Sequence, residues 1–406
     1  MRRAVPIALL LALLAGCGSG GGPKGTLTIA VNAPFSQSPY VGETIFHGAD
    51  LAVHEVNISG GVKVGNRSYR LRIKRYDNGL SPRKALQNVR RATADGVVAI
   101  VDEGTGVDAS WRVARDAGVP IGITYQGGLG LVDEEQRPNV FRIAPTDRGV
   151  AFRLAEYLVP KQLKVALLAD DTGYGREGQA ALAKAFASNP ENVAARLTLP
   201  ATSSDLAPQI LRARRAGATA LLVWAQPATI AKAVIAARSA GWNVAVYTPP
   251  AGEDPLVRQQ LAGHPRWVDG LTFASGRMTA EVGTGPWIAF QDKYESAYGA
   301  ERVGVRTRDG RSVVQPPDYA MYSYDFVYVL VAALFRAKAA NGDALLSALE
   351  QVTVEGANGD ERGFNAHNHE GVIDDDVYFA RFHDMVFSPV NDEPLSATLP
   401  AIEQRG

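Results

Sequence analysis

The sequence has little cysteine, no excess of either charge and no long apolar run beyond its N-terminus. A single cysteine in 406 residues cannot form a disulfide within the chain, so a packed core must stabilise the fold, and the 46% of hydrophobic residues can supply one. Lys plus Arg equals Asp plus Glu at 42 each, so no net field attracts nucleic acid or an acidic membrane. At roughly 150 residues per domain, the length predicts two or three domains.

The motifs of common enzyme classes are missing as well. The sequence contains no GxSxG, HExxH or P-loop pattern. Residues 173–178 match GxGxxG after a predicted strand, but Asp170 and Asp171 just before them would repel a pyrophosphate, and the next strand ends without an acid for a ribose hydroxyl. We therefore predict no cofactor and no catalysis. These glycines are expected to form a loop that turns Tyr174 toward a ligand.

A metal site is one interpretation of the charged segment near the C-terminus. His367 and His369 would point the same way on a strand, and Glu370 with the acids at 374–376 could complete a ligand set. A glycine-flanked charged stretch beside a hairpin is more often a solvated loop. We predict that this segment binds no metal.

The only cysteine, Cys17, ends a short apolar segment. Arg2 and Arg3 precede an apolar run of about 12 residues, which has the parts of a secretory signal and is too short to span a bilayer. Its end resembles a bacterial lipobox, in which cleavage before the cysteine precedes attachment of a diacylglyceryl group to the sulfur. An ordinary signal peptide with a stray thiol is the alternative. We predict export and a lipid anchor on Cys17, followed by a flexible Gly/Ser spacer to residue 25.

Short β-rich runs then alternate with amphipathic helical stretches in two series. Ser81 and Pro82, for example, predict a helix start, because a capping side chain precedes proline in the first turn. The rhythm restarts at Lys164, after a loop-like stretch at 126–138. Strands separated by helices of this length predict βαβ units and parallel sheets. The fold class is therefore α/β, with two doubly wound parallel-sheet lobes and a ligand cleft where the strand ends meet.

Four segments resemble type I periplasmic substrate-binding proteins of the branched-chain amino acid ABC transporter group. They are His47–Asn57 with Gly60-Gly61, Phe141–Asp147, Lys164–Gly178 and Tyr319–Ala333. The resemblance implies two lobes joined by hinge crossovers and an ABC permease as partner. The expected units are residues 1–16 (signal), 17–25 (lipidated cysteine and linker), 26–145 with about 275–355 (first lobe), and 146–274 with about 356–400 (second lobe).

In the first lobe, two loops are candidates for contact with the ligand. Thr105 and Gly106 open a predicted helix, and its amides and the hydroxyl would suit a ligand carboxylate. The resemblance gives that task to a Ser or Thr pair at this place, whereas an ordinary tight turn is the alternative. Gln126, Gly127 and Gly128 follow the next strand, and Gln126 departs from the family's Ala, Ser and Thr.

Aromatic residues and one acid complete the candidate site. Tyr40 and Tyr174 fall in loops where the family has cleft tyrosines, while Trp224, which precedes Gln226, could equally be a core residue. The family commonly binds the ligand's ammonium with an acid just past the strand at 244–247. Here an ungapped comparison places Pro250 there, and only a shifted loop would bring Glu253 into the cleft.

These patterns predict a monomeric binding protein for a small polar solute, which could be amino acid-like, an amide or a carboxylate. Asp254, just before Pro255, is expected to cap a helix instead of binding the ligand. Because a buried ammonium without a paired charge is costly, the missing acid weakens an amino acid as ligand. A sensory receptor of the same fold and an extracytoplasmic enzyme remain as alternatives.

Overall fold

The computed structural model describes residues 23, 25–277, 285–299, 304–306, 312–314, 316–372, 377–383 and 385–390. Cys17 and its signal segment lie outside these residues, as do the acids at 374–376. Within them the chain forms two lobes, each built on one large sheet.

The first lobe contains a six-stranded sheet in the order β2-β3-β1-β4-β5-β6. All neighbours are parallel except β2 and β3, which pair antiparallel. Its strands are β1 (Thr26–Ala33), β2 (Val62–Val64), β3 (Arg67–Asp77), β4 (Ala99–Asp102), β5 (Ile121–Ile123) and β6 (Val140–Arg142). Its first helices are α1 (Pro39–Ile58), α2 (Pro82–Ala94) and α3 (Val107–Asp116). The predicted start of α2 is confirmed, since the Ser81 hydroxyl accepts a hydrogen bond from the Lys84 amide.

The second lobe contains a seven-stranded sheet in the order β17-β16-β11-β10-β9-β7-β8. The strands β8-β7-β9-β10-β11 are parallel, and β16 and β17 add antiparallel at one edge. They are β7 (Val165–Asp170), β8 (Val193–Leu199), β9 (Ala220–Trp224), β10 (Ala245–Thr248), β11 (Thr272–Ser275), β16 (Tyr378–His383) and β17 (Val386–Pro389). The helices are α4 (Asp147–Leu158), α5 (Gly173–Ala185), α6 (Ala207–Arg215), α7 (Pro227–Ser239) and α8 (Pro255–Gln260).

The chain returns to the first lobe after β11. The returning elements are α9 (Gly285–Tyr298), β12 (Gly304–Arg306), β13 (Ser312–Val314), α10 (Tyr319–Ala337), α11 (Asp343–Leu349), β14 (Thr353–Glu355) and β15 (Glu361–Gly363). Helix α10 is long and apolar enough to cross a membrane, yet 67% of its most apolar window is buried inside the protein. It packs against α1 in the first-lobe core, as the predicted returning segment requires.

The last crossing between lobes comes later than residue 356, where the prediction placed it. Phe364 and Val372 are buried in the core cluster of the first lobe, and Val377 is buried in a cluster of the second. A bidentate ion pair between Arg142 and Glu370 also ties this stretch to β6. Val372 therefore still belongs to the first lobe, and Val377 belongs to the second.

The GxGxxG stretch is helical, which corrects the predicted loop. The Thr172 hydroxyl caps α5 by accepting a hydrogen bond from the Gly175 amide at 3.1 Å. A Cβ at Gly175 would lie 2.1 Å from the Asp170 carbonyl oxygen, and one at Gly178 would lie 2.2 Å from the Trp224 ring. The glycines thus allow the helix to pack closely on β7 and β9.

Candidate functional site

The loops at the carboxyl ends of the parallel strands of both lobes meet around Tyr125, which follows β5. Its ring packs edge-on against Tyr319, at the start of α10, with 4.9 Å between centroids. Its hydroxyl is within electrostatic range of Glu103 in the same lobe and of Asp254 and Glu253 in the other. Burial, reinforced by these carboxylates, raises the pKa of Tyr125, so its hydroxyl stays protonated. Residues from both lobes therefore form one group.

Asp254 presents a carboxylate from the second lobe to this group. It caps α8 by accepting a hydrogen bond from the Leu256 amide at 2.8 Å, as predicted, and only 8% of it is exposed. The same carboxylate is within electrostatic range of Tyr40, Tyr125 and Tyr319. Burial raises the pKa of Asp254 to about 6, against the opposing effects of the Leu256 amide and Arg258. Asp254 can thus cap a helix and also lie beside the tyrosine group.

Two tyrosine hydroxyls in this group have no hydrogen-bond partner among the described residues. They belong to Tyr40, which lies near enough to the Thr44 hydroxyl for a weak interaction, and to Tyr319, and each is within electrostatic range of Asp254. A buried polar atom without a partner costs roughly 1–3 kcal/mol, so such atoms call for a ligand or an ordered water. The two hydroxyls are therefore candidates for contact with a polar ligand.

Tyr174 and Trp224 form the aromatic side of the second lobe. Tyr174 is half-buried within electrostatic range of Tyr125 and Asp147, and its ring lies 5.9 Å from that of Trp224. Trp224 is fully buried in a core cluster, so it supports Tyr174 from behind. The indole nitrogen of Trp224 has no hydrogen-bond partner among the described atoms.

The loop after β4 contains a buried carboxylate, that of Glu103, which is hydrogen-bonded within the first lobe. Glu103 is fully buried and accepts hydrogen bonds from the Asn78 side-chain amide and the Thr105 backbone amide, each at 3.0 Å. The side-chain nitrogen of Gln126 donates to the second carboxylate oxygen of Glu103 at 3.1 Å and to the Thr105 hydroxyl at 3.1 Å. The predicted ligand-binding groups of Thr105 and Gln126 therefore contact Glu103.

Gly127 and Gly128 lie where the first lobe approaches α4 and α5. A Cβ at Gly127 would stand 2.6 Å from the Asp147 carboxylate, and one at Gly128 would stand 3.1 Å from that of Glu177. The Arg142 guanidinium donates to the Gly128 carbonyl at 2.9 Å. Burial raises the pKa of Asp147 to about 7, where Arg142 opposes the shift and Glu177 adds to it.

Three predicted residues already have contacts within the protein, although Glu253 also lies within electrostatic range of Tyr125. Gly106 caps α3 with a positive φ of 76°, and a Cβ there would lie 2.8 Å from Pro82, so it packs on α2. Gln226 is exposed, and its backbone amide donates to the Asp170 carboxylate at 2.7 Å. Glu253 is 2% exposed, forms an ion pair with Arg277 and accepts a hydrogen bond from the Asp318 amide at 3.1 Å.

Asp254, Tyr319, Tyr125 and Asp147 belong to the group but were not predicted to contact a ligand. Tyr125 directly precedes Gln126, so its position after a buried strand could have identified it. Tyr319 begins the returning helix, and only the packing of α10 brings it to the cleft. The helix cap of Asp254 was predicted, but its position beside Tyr40, Tyr125 and Tyr319 was not.

The histidine segment is structural where it is described. His369 is fully buried, with its ring stacked on Phe141 and its nitrogens contacting the Val140 carbonyl and the Glu350 carboxylate. No group of three or more metal-binding side chains occurs among the described residues.

Comparisons with known proteins agree on one architecture. A family model described as "Periplasmic binding protein" matches residues 26–385. A type 1 periplasmic binding protein from Bordetella pertussis is 19% identical, over 90% of this chain and 100% of that chain, with a TM-score of 0.76.

Two other solved structures contain ligands. The branched-chain amino acid transporter substrate-binding protein LivJ from Streptococcus pneumoniae, in complex with isoleucine, is 22% identical over 89% of this chain and 97% of that chain, with a TM-score of 0.72. A solute-binding protein of an ABC transporter from R. palustris, in complex with benzoate, is 18% identical over 90% and 95%, with a TM-score of 0.69. No curated protein matches the sequence. At these identities the structures show a shared fold.

Proposed function

The chain belongs to the periplasmic binding protein family, and from that premise we propose that it captures a small organic solute between its lobes and delivers it to an ABC importer. The observation that carries the proposal is the group around Tyr125, which combines side chains of both lobes and contains the unpartnered hydroxyls of Tyr40 and Tyr319. The solved structures that contain isoleucine and benzoate support a small organic molecule as the ligand.

Binding would stabilise the closed arrangement of the lobes. Tyr40, Tyr125 and Tyr319 come from the first lobe, whereas Tyr174 and Asp254 come from the second. A solute held by both sets adds attraction between the lobes and shifts the hinge equilibrium toward closure. A permease could then distinguish the loaded form from the open form by its shape.

Residues 1–25 supply the location in this proposal. A diacylglyceryl group on Cys17 and a Gly/Ser spacer would hold a monomeric binding protein at the outer face of the membrane, which raises its concentration near the permease. Mass spectrometry of the membrane fraction should find the lipid on Cys17. Replacement of Cys17 by Ser should release the protein from the membrane.

A thermal-shift screen over amino acids, amines, amides, carboxylates and sugars tests solute binding. A compound at 100 times its Kd should stabilise the protein by about 2.7 kcal/mol. The stabilising compound should be recovered unchanged after incubation with the protein. Turnover would support the enzyme alternative, and the absence of any stabilising compound would contradict the proposal. A sensory role would be favoured if loss of the protein left uptake of that compound unchanged.

A further inference from the structure

In the first lobe, the carboxylate of Glu103 lies at the loop where the sequence predicts a ligand carboxylate. Glu103 accepts hydrogen bonds from three nitrogen donors, those of Asn78, Thr105 and Gln126, at 3.0–3.1 Å. Burial raises the pKa of Glu103, and these three donors oppose that shift because an ionised carboxylate only accepts hydrogen bonds. The Thr105 amide belongs to the helix start that the sequence offers to a ligand carboxylate, whereas Gln126 departs from the residues that the family has at its place.

The arginines nearest the cleft are committed to other partners. The Arg142 guanidinium bonds Glu370 in bidentate fashion and donates to the carbonyls of Gln126 and Gly128. Arg258 donates to the Met385 carbonyl at 3.0 Å and lies 4.7 Å from the centre of the Phe382 ring. A ligand carboxylate would therefore find both arginines, and the nitrogens of Thr105 and Gln126, already engaged.

The carboxylates beside the tyrosine group suit a positive charge. Asp254 and Asp147 are both buried, with 8% exposed in each case, and both are within electrostatic range of cleft tyrosines. Tyrosine faces attract ammonium and guanidinium groups, and a desolvated carboxylate attracts them more strongly. The rings of Tyr125 and Tyr319 supply apolar contact for the rest of such a molecule.

We propose that Glu103 takes the place of a ligand carboxylate and that the cleft selects an organic cation, an amine or guanidinium compound with a small apolar body and no carboxylate. This inference rests on the proposed solute-binding function and names its substrate class. It differs from the amino acid and the benzoate seen in solved relatives.

Matched probes with the same hydrocarbon body test the selection in the purified protein. One set is isoamylamine, L-leucine and isovalerate, and the second is phenethylamine, L-phenylalanine and 3-phenylpropionate, with agmatine and choline as further cations. In calorimetric titrations the amine of a set should bind at least tenfold more tightly than its amino acid and its carboxylate. An amino acid or carboxylate that binds as tightly as the matched amine overturns the inference but leaves solute binding intact. Binding of neutral solutes alone also overturns it, whereas no binding by any compound of the broad screen contradicts the proposed function itself.

The pH profile gives an independent readout. The charged and titratable groups near Asp254 are Arg258, Tyr40, Tyr125 and Tyr319. Those near Asp147 are Arg142, Glu177 and Tyr174. Because the pKa of Asp254 is raised to about 6 and that of Asp147 to about 7, both gain negative charge between pH 5.5 and 7.5. If only the ionised form of Asp254 binds the amine, affinity should rise about fourfold over this interval from Asp254 alone. A falling affinity would contradict a cationic ligand.

A Glu103→Ser variant tests the role of Glu103 directly. It should release the Thr105 and Gln126 donors and improve L-leucine or isovalerate binding at least tenfold relative to isoamylamine. Asp108→Asn, an exposed change in the first turn of α3, is the control and should leave the preference unchanged. A folded Glu103→Ser protein with the original preference would overturn the assignment. If the variant does not fold, titration of the unaltered protein with the matched probes still tests whether the protein selects an organic cation.

Discussion

Replacing Asp254 by Asn should stabilise the unliganded protein at neutral pH. Asparagine caps a helix about as well as aspartate, so the hydrogen bond from the Leu256 amide is kept. The pKa of Asp254 is raised from 3.8 to about 6 by burial, which corresponds to roughly 3 kcal/mol of strain in the folded state once the group is ionised. Asn carries no such charge, so the variant should gain about that amount.

The sign of the effect sets its pH dependence. A folded-state pKa above the unfolded one means that ionisation lowers the free energy of unfolding progressively as pH rises from about 4 to about 6. Urea denaturation should therefore give Asp254→Asn little advantage at pH 4 and its full advantage at pH 7.5. Asp205→Asn is the matched control, because Asp205 accepts a hydrogen bond from the Ala207 amide in the same way but is exposed. An advantage that is absent at pH 7.5, or equal at both pH values, would refute the reasoning.

Two further pairs of variants separate ligand contact from structural support. Tyr319→Phe removes a buried hydroxyl without a partner, so it should weaken ligand binding and stabilise the unliganded protein by about 1–3 kcal/mol. Tyr328→Phe removes a hydroxyl bonded to Glu55 at 2.8 Å, so it should lose about 1–2 kcal/mol of stability with affinity unchanged. Titration and urea denaturation of both variants would reveal the opposite pattern. Gly178→Ala places a Cβ 2.2 Å from the Trp224 ring, so it should cost about 1–3 kcal/mol of stability and shift the tryptophan emission. Gly173→Ala lies on the same helix with open space around it and should change neither. Equal effects of the two variants would contradict close packing at Gly178.

The sequence predicted the two βα series well because local patterns determine them. The cap at Ser81, the apolar run that becomes β4 and the restart of strands near Lys164 all depend on neighbouring residues, and the structure confirms them. Helix α10 was also expected to return to the first lobe. Its wholly buried first turns, from Tyr319 onward, show why its apolar character belongs to the core.

The chemistry of the site was harder to predict because it depends on contacts between distant segments. Glu103 is a charged residue in a turn by sequence, and only the approach of Asn78 and Gln126 makes it a buried acceptor. Glu253 is a candidate for the ligand by sequence position, yet Arg277, at the crossover between lobes, already forms its ion pair. Local patterns place residues on loops, but they do not say which partner a loop residue meets.

The central claim, that one solute binds between the lobes around Tyr125, is tested most directly by calorimetric titration of three proteins. The ligand is the compound that stabilises the protein most in the broad screen, and the proteins are the unaltered chain, Tyr125→Ala and Tyr69→Ala. Tyr69 is also half-buried but packs near Gly25, at the start of β1. The account predicts one site per chain, with Kd raised at least tenfold in Tyr125→Ala and unchanged in Tyr69→Ala. Equal affinity in all three folded proteins would place the binding site elsewhere and contradict the account.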